Sequence, residues 1–444
     1  MYTPNISEND KVRYEFISST NTAFGDTNLY IFILHDIAVD ITQKYFPLEN
    51  LEDIDEYFDS KEALSENDMT GIFEGKNLLV VQLESFSTEV LNEDVCPNIY
   101  SLLSDSIYFE NYYGIMSGDE PTFDNEFAVN TGLYAFSGYT ASKKIIGKSF
   151  SDSLANTFSS YGYSANVYHA NDSESYSRGE SELAYGYKKY NSLPEMTDED
   201  LDWIDDLNIA NCDDTYEAIT GGEKYLSLVL TISAHMPYDT GELGFAQGDR
   251  YNIYLSRHSE SYVDESDEMK LYKAYATLTD DFVGRLIERM DADGRLDDTV
   301  ILFVSDHYAY GLYDDVSGKE LIDLQNIPCF IYAKGTQAQT VEKVCSNIDL
   351  LPTLINLFGF ETNAKYMGSD IFDDNYEGIA YLPSGDWITS RCMYYDGSIV
   401  ESYTDEEITD EYTDGMNDFV TKQLRINSLI LYSEYFTGEY LDDD

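Results

Sequence analysis

The sequence predicts an α/β fold: a doubly wound, mostly parallel sheet flanked by helices, with a small C-terminal α+β subdomain. Three observations predict it. Short continuous apolar runs of strand length recur along the chain, the segments between them carry helical periodicity, and near residue 375 the pattern changes to short alternating runs. A continuous apolar run is what burial on both faces of a strand demands, and parallel sheets covered by helices provide that burial.

The elements follow in order. The first 70 residues lack a strong repeating pattern and end in the acidic "DSKEALSENDMTG" (59–71), an approach segment before the main domain. "KNLLVVQLES" (76–85) is the first buried-strand run, followed by the weaker "YSANVYHAND" (163–172) and by "KYLSLVLTISAH" (224–235), "DTVILFVSDH" (298–307) and "IPCFIYAKG" (327–335). Between the third and fourth runs, Leu271, Tyr275, Leu278, Phe282, Leu286 and Met290 recur at steps of three and four, and Gly294 stands where a helix would stop. "NIDLLPTLINLFGF" (347–360) reads as a second helix, with Pro352 placed to kink or open it. Past residue 375, "GIAYLP" and "SRCMYYDGSIVES" alternate, and a long mixed segment at 404–436 suggests a helix packed on a small antiparallel sheet. The expected division is 1–70, an approach segment following a missing membrane region; 71–374, a catalytic domain; and 375–444, the small companion. At 444 residues the chain has room for this, since one α/β domain takes roughly 250–300 residues.

Composition narrows the function. With 26 Lys and Arg against 84 Asp and Glu, a net charge of -58 argues against nucleic-acid binding, which needs cationic side chains on phosphate. An anion handled by such a chain needs help from a metal. The five cysteines, Cys96, Cys212, Cys329, Cys345 and Cys392, show no paired spacing and read as buried thiols. The longest apolar run, "LYIFILHDIAV" (29–39), is broken by His35 and Asp36 and falls short of the ~20 residues that span a bilayer. The chain is expected to be soluble as given.

In open α/β sheets the ligand site lies beyond the carboxyl ends of the strands. That rule selects Glu84 after the first run, His169 after the second, His235 after the third, and Asp306 with His307 after the fourth. Three of the five histidines fall at these ends. Glu84, Asp306 and His307 offer two hard oxygens and an imidazole, a set suited to Mn²⁺, Mg²⁺ or Zn²⁺. Thr122, in "GDEPTFDNEF" (118–127), is the candidate for one more oxygen and for a nucleophile, because a hydroxyl on a divalent cation loses its proton more readily. Each residue alone has a plain alternative: a solvated glutamate, a structural Asp-His pair, a threonine N-cap. Their coincidence at strand ends favours a site. His35 and His258 carry no such signal, and His258 reads as a loop residue.

Six blocks, "VVQLESFS", "PTFDNEFAVNTGLY", "VYHANDSESYSRGE", "LTISAHMPY", "DDTVILFVSDHYAYG" and "NIDLLPTLINLFG", resemble in order and spacing those of the lipoteichoic acid synthase family. These are phosphoglycerol transferases of the alkaline phosphatase and sulfatase superfamily, and the resemblance covers about residues 75–372, more loosely to 436. It implies an alkaline phosphatase/sulfatase-like fold, Mn²⁺ held by Glu84, Thr122, Asp306 and His307, and Thr122 as the nucleophile. It implies a substrate pocket of His169, Tyr176, Arg178 and His235, with Arg178 gripping a phosphate oxygen and His235 protonating a leaving oxygen. It also implies phosphatidylglycerol as donor, a polyglycerolphosphate chain as acceptor, and a membrane surface reached through a missing N-terminal region. The location implied is the extracellular face of the cytoplasmic membrane of a Gram-positive-type bacterium.

Two departures bear on substrate. Glu120 and Pro121 stand where the family has Gly-Lys, and Tyr176 stands where it has an indole. "CPNIYS" (96–101) does not fit the CxPxR-type motif from which sulfatases make their aldehyde hydrate, so sulfate ester hydrolysis is disfavoured. The alternatives that stay open are a phosphodiesterase or phosphoethanolamine transferase with the same metal site, and a non-catalytic module that binds wall polymer.

Overall fold

The computed structural model of the chain describes residues 51–61, 64–117, 120–136, 141–192, 206–238, 265–313, 316–433 and 435. His35, His258, the apolar run at 29–39 and the first 50 residues of the approach segment lie outside them. The chain packs as two compact units, one of Phe73–Gly114 with Thr157–Glu342, the other within Met1–Ile72, Ile115–Asn156 and Lys343–Asp444.

The first unit holds the large sheet. Its strands are β1 (Asn77–Leu83), β2 (Ser106–Phe109), β4 (Ser164–His169), β5 (Tyr190–Ser192), β6 (Tyr225–Leu230), β7 (Thr299–Ser305), β8 (Cys329–Ala333) and β9 (Gln339–Val341), with the two-residue β3 (Tyr112–Tyr113) in the same unit. The order is β5-β4-β6-β1-β7-β8-β2-β9. β1 lies at the centre, parallel to β6 on one side and to β7 on the other. The predicted mostly parallel sheet is therefore present, with one difference: β8 runs antiparallel to β7 and β2. Its run "CFIYA" is buried at every residue. Burial on both faces dictates a continuous apolar run whichever way the strand points, so the run could not report direction.

The helix Asp267–Ala292 covers one face. It starts where Ser266 accepts the Met269 N–H at 3.1 Å, and Gly294 beyond its end takes φ +73°, a left-handed conformation that costs glycine little. Its Leu271, Tyr275, Phe282, Leu286 and Met290 join one buried cluster with Leu79, Val81 and Leu83 of β1 and Ile301 and Phe303 of β7. The alternate strand residues meet the predicted helix stripe, and each large side chain buried there contributes about 1.5–3 kcal/mol.

The second unit carries β10 (Cys345–Ser346) and an antiparallel sheet of β11 (Ile379–Tyr381), β12 (Trp387–Thr389), β13 (Cys392–Tyr395) and β14 (Ser398–Ser402), in that order. The helix Asp410–Ser433 packs on it: Trp387 Nε1 donates to Asn417 Oδ1 at 2.9 Å, and the Trp387 ring meets Tyr412 edge-on. Of the two roles read for Pro352, kinking or opening the helix, the structure shows the second. The α-helix begins at Leu350, so Pro352 sits in its first turn, where its missing N–H costs no bond. No disulfide joins the cysteines; four are buried and Cys212 is partly buried. Among the described residues no helix is long and apolar enough to cross a membrane.

Candidate active site

The registers of the central strands assemble the first unit's candidate residues. Leu83 pairs with Ser305, so Glu84 and Asp306 leave the sheet side by side, and Asp306 N–H donates to Leu83 O at 3.1 Å. Thr231, just past β6, donates its N–H to Gln82 O at 3.0 Å and accepts the Glu84 N–H on Oγ1 at 2.8 Å. The chain then turns sharply at Ser85, whose φ of +51° is unusual for a residue with a Cβ. That turn is braced from both sides. Ser85 N–H donates to Asp306 Oδ1 at 2.8 Å, and Tyr272 of the long helix donates its hydroxyl to Ser85 O and accepts the Ser87 N–H, each at 2.8 Å.

Glu84, Asp306 and His307 are buried, and one donor atom from each lies within 4.8 Å of the others. His307 Nε2 is 3.5 Å from Glu84 Oε1 and 3.5 Å from Asp306 Oδ2, the spacing of groups facing a common centre rather than bonding one another. Burial first, then the charge of Asp306, pushes the Glu84 carboxyl up to about 7. Burial lowers the His307 imidazole, opposed by Glu84. Two desolvated carboxylates and a neutral imidazole repel or ignore one another until a cation joins them. The donor set fits a divalent hard or borderline ion, Mn²⁺, Mg²⁺ or Zn²⁺.

Three histidines share one tautomer. Nδ1 of His169 donates to Leu230 O at 2.7 Å, Nδ1 of His307 to Tyr308 O at 2.8 Å, and Nδ1 of His235 to Met236 O. A carbonyl can only accept, so Nδ1 carries the proton in each ring and Nε2 is left for ligand or proton work. His169 is buried, and that burial, with the Arg178 charge next and His235 after it, holds its pKa down at about 3. Arg178 opens the helix Arg178–Ala184 and is itself buried. Its guanidinium carbon sits 4.9 Å from the centre of the Tyr176 ring. Tyr176 and Ser177 both take positive φ, +51° and +53°, to deliver it. His235 is partly exposed. The Tyr310 ring packs 4.9 Å from that of His307.

Thr122 belongs to the second unit. It is the second residue of the helix Pro121–Thr131 and is buried, with Pro121 at the first helical position and Gly132 at φ +66° closing the end. Asp124 lies in the first turn of that helix and accepts the Ser117 N–H at 3.1 Å; Glu126 falls beyond that turn and is buried. Glu120 holds the backbone N–H of Ser142 at 2.8 Å and its hydroxyl at 3.2 Å, so this acid has a structural use. Asp206, Thr231 and Tyr272 escaped the sequence reading, because they act through partners distant in sequence and nothing in their own neighbourhoods announces it. Tyr310, three residues from His307, escaped it as well.

The sulfatase family matches residues 76–360, more than half of the chain. The chain belongs to the sulfatase family. Among curated relatives, lipoteichoic acid synthase 2 of Bacillus subtilis is 23% identical, covering 86% of this chain and 60% of its own length. Lipoteichoic acid synthase of Staphylococcus aureus is 24% identical, covering 82% and 58%. This sulfatase-family chain thus spans about three fifths of the length of those relatives. The crystal structure of the lipoteichoic acid synthase LtaP from Listeria monocytogenes superimposes with a TM-score of 0.70 at 23% identity, over 86% of this chain and 98% of that one. The resemblance read from the six blocks and the alkaline phosphatase/sulfatase-like fold are both present in these matches.

Proposed function

We propose that this chain is a metal-dependent phosphotransferase that moves glycerol phosphate from phosphatidylglycerol to a polyglycerolphosphate acceptor, with Thr122 as nucleophile. The observation that carries the proposal is the buried Glu84–Asp306–His307 group beside His169, His235 and Arg178, on the fold of proteins named lipoteichoic acid synthases. A divalent ion held by Glu84, Asp306, His307 and Thr122 would supply Lewis acidity toward a phosphate oxygen and lower the pKa of a hydroxyl.

The chain's own groups do the rest. Arg178, fixed by its helix and by Tyr176, presents a planar fork to a non-bridging phosphate oxygen. Thr122 Oγ1 forms the new bond to phosphorus as the bond to the diacylglycerol oxygen breaks. His235 Nε2 takes the proton given up by Thr122 and passes it to that oxygen. In the second half an acceptor hydroxyl attacks phosphorus, the threonine–phosphorus bond breaks, and the proton leaving the acceptor hydroxyl returns to Thr122 through His235 Nε2. The same reading sets the catalytic domain at 71–374, working at the extracellular face of the cytoplasmic membrane of a Gram-positive-type bacterium.

Intact-mass measurement after exposure to phosphatidylglycerol and Mn²⁺ tests this. A glycerol phosphate adduct on Thr122, lost in Thr122→Ala together with about 10³-fold or more of turnover, is the expected result. A phosphoethanolamine adduct from the matching lipid would move the assignment to that headgroup. Normal turnover by Thr122→Ala would overturn the nucleophile, and a protein that takes up no divalent ion would point to a wall-polymer-binding module.

A further inference from the structure

We propose that Asp206 is a positioning residue for His235: its carboxylate fixes the turn after β6 and so sets where the His235 imidazole stands. The proposal rests on the reading of His235 as a substrate-facing proton donor. Asp206 is fully buried, and its Oδ1 and Oδ2 accept the consecutive backbone N–H groups of Ile232 and Ser233, each at 2.9 Å. Its own N–H donates to Ser233 Oγ at 3.0 Å. Three hydrogen bonds thus clamp two consecutive residues of the turn.

What the clamp holds is the site. Ile232 O accepts the His235 N–H at 3.0 Å, closing the turn on the histidine. One residue the other way, Thr231 Oγ1 holds the Glu84 backbone at 2.8 Å. The clamp has a firm base as well. Asp206 begins the short helix Asp206–Asn211, which is tied to the long helix by Arg289 donating to Ala210 O at 2.8 Å and Arg285 Nε donating to Asn211 Oδ1 at 3.1 Å. A carboxylate suits this place because it is a pure acceptor with two oxygens, and both N–H groups it faces are donors. An amide would satisfy one and turn its NH₂ toward the other.

The test uses Asp206→Asn, measured for turnover in two backgrounds and by NMR of histidine-labelled protein. With phosphatidylglycerol and Mn²⁺, Asp206→Asn should lower kcat about tenfold or more in the wild-type background and add little once His235→Ala is present. In the NMR arm, with His235→Ala assigning its signal among only five histidines, Asp206→Asn should move or broaden the His235 ring resonances. Equal losses in both backgrounds, or unmoved His235 resonances, would overturn the proposal. If the wild-type protein shows no turnover, the proposed function fails, and the NMR arm still decides the positioning role. Should Asp206→Asn not fold, Ser233→Ala removes only the hydroxyl that receives the Asp206 N–H and is predicted to shift the same resonances to a smaller degree.

Discussion

Asp306 Oδ1 accepts the backbone N–H of Ser85 at 2.8 Å, and it also takes the His307 N–H at 2.7 Å. One carboxylate oxygen thereby stitches the end of β1 to the end of β7. The Glu84 side chain, one residue before Ser85, is forced to share a dry space with a second carboxylate. This arrangement is unfavourable without a cation, and that makes it informative.

Glu84→Gln keeps the shape of the side chain and removes one of the two like charges. We expect the variant to be more stable than wild type in chelator, because the raised Glu84 pKa reports burial and repulsion by Asp306 that the amide does not feel. In Mn²⁺ the order should reverse. Wild type gains about 2.7 kcal/mol when free ion is a hundredfold above Kd, and the variant gains little. Denaturant titrations in chelator and in Mn²⁺ check this, and an undiminished metal-dependent gain in Glu84→Gln would remove it from the ligand set.

Tyr272→Phe removes a single hydroxyl that serves both the Ser85 carbonyl and the Ser87 N–H. The tyrosine is fully buried, so water cannot replace the lost partner. We expect a cost of about 1–3 kcal/mol in urea unfolding and weaker Mn²⁺ binding, because the turn that aims Glu84 loses its brace. Unchanged metal affinity at reduced stability would confine Tyr272 to a packing role.

Much of the site was legible because of one property of strands. A continuous apolar run reports burial on both faces, and the first polar residues after it mark the carboxyl edge of the sheet; Glu84, His169, His235, Asp306 and His307 were all found that way. Other features had no local signature. Asp206 acts on residues 26 and 27 positions away and Tyr272 on residues 185 and 187 away. The positive φ of Ser85, Tyr176 and Ser177 falls on side chains that ordinarily avoid it, so no glycine marked those turns. Strand direction at β8 was hidden because burial is blind to polarity. Pro352 left two roles open, a kink or a start, because a proline cannot by itself say where the first turn lies; the α-helix begins at Leu350, so the second holds.

Gly368→Ala probes the second unit. An added Cβ would lie 2.0 Å from Ile348 O and 2.9 Å from Asp349 Cα, both backbone atoms that cannot rotate away. The same segment is held by Lys61, whose ammonium donates to Tyr366 O at 2.6 Å, to Met367 O at 2.7 Å and to Gly368 O. The substitution should cost about 3 kcal/mol or more, since both the backbone approach and the lysine cradle must shift. Urea unfolding measures it, and a loss under about 1 kcal/mol would show that the segment relaxes freely.

His169 supplies a pH dependence whose sign is opposite to that of a salt-bridged histidine. Burial and the Arg178 charge lower its folded pKa from 6.5 to about 3. Between those values the unfolded chain binds a proton that the folded protein does not, so stability falls as pH falls through that window. The contribution is fully present above 6.5 and is lost on the way down to about 3, at roughly 1.4 kcal/mol per pH unit. Replacing the ring by an uncharged side chain, His169→Gln, removes this titration and leaves those of Glu84 and His307 common to both proteins. The stability difference between wild type and His169→Gln should therefore shrink as the pH is lowered from 7 to 4. Arg178→Gln should raise the His169 pKa, with burial still keeping it below the ordinary value. Urea titrations across that range, with NMR of the His169 ring as a direct readout, check both. A difference that stays flat with pH would mean that His169 is not held neutral, and that the Nδ1 hydrogen bond to Leu230 fixes its orientation without deciding its charge.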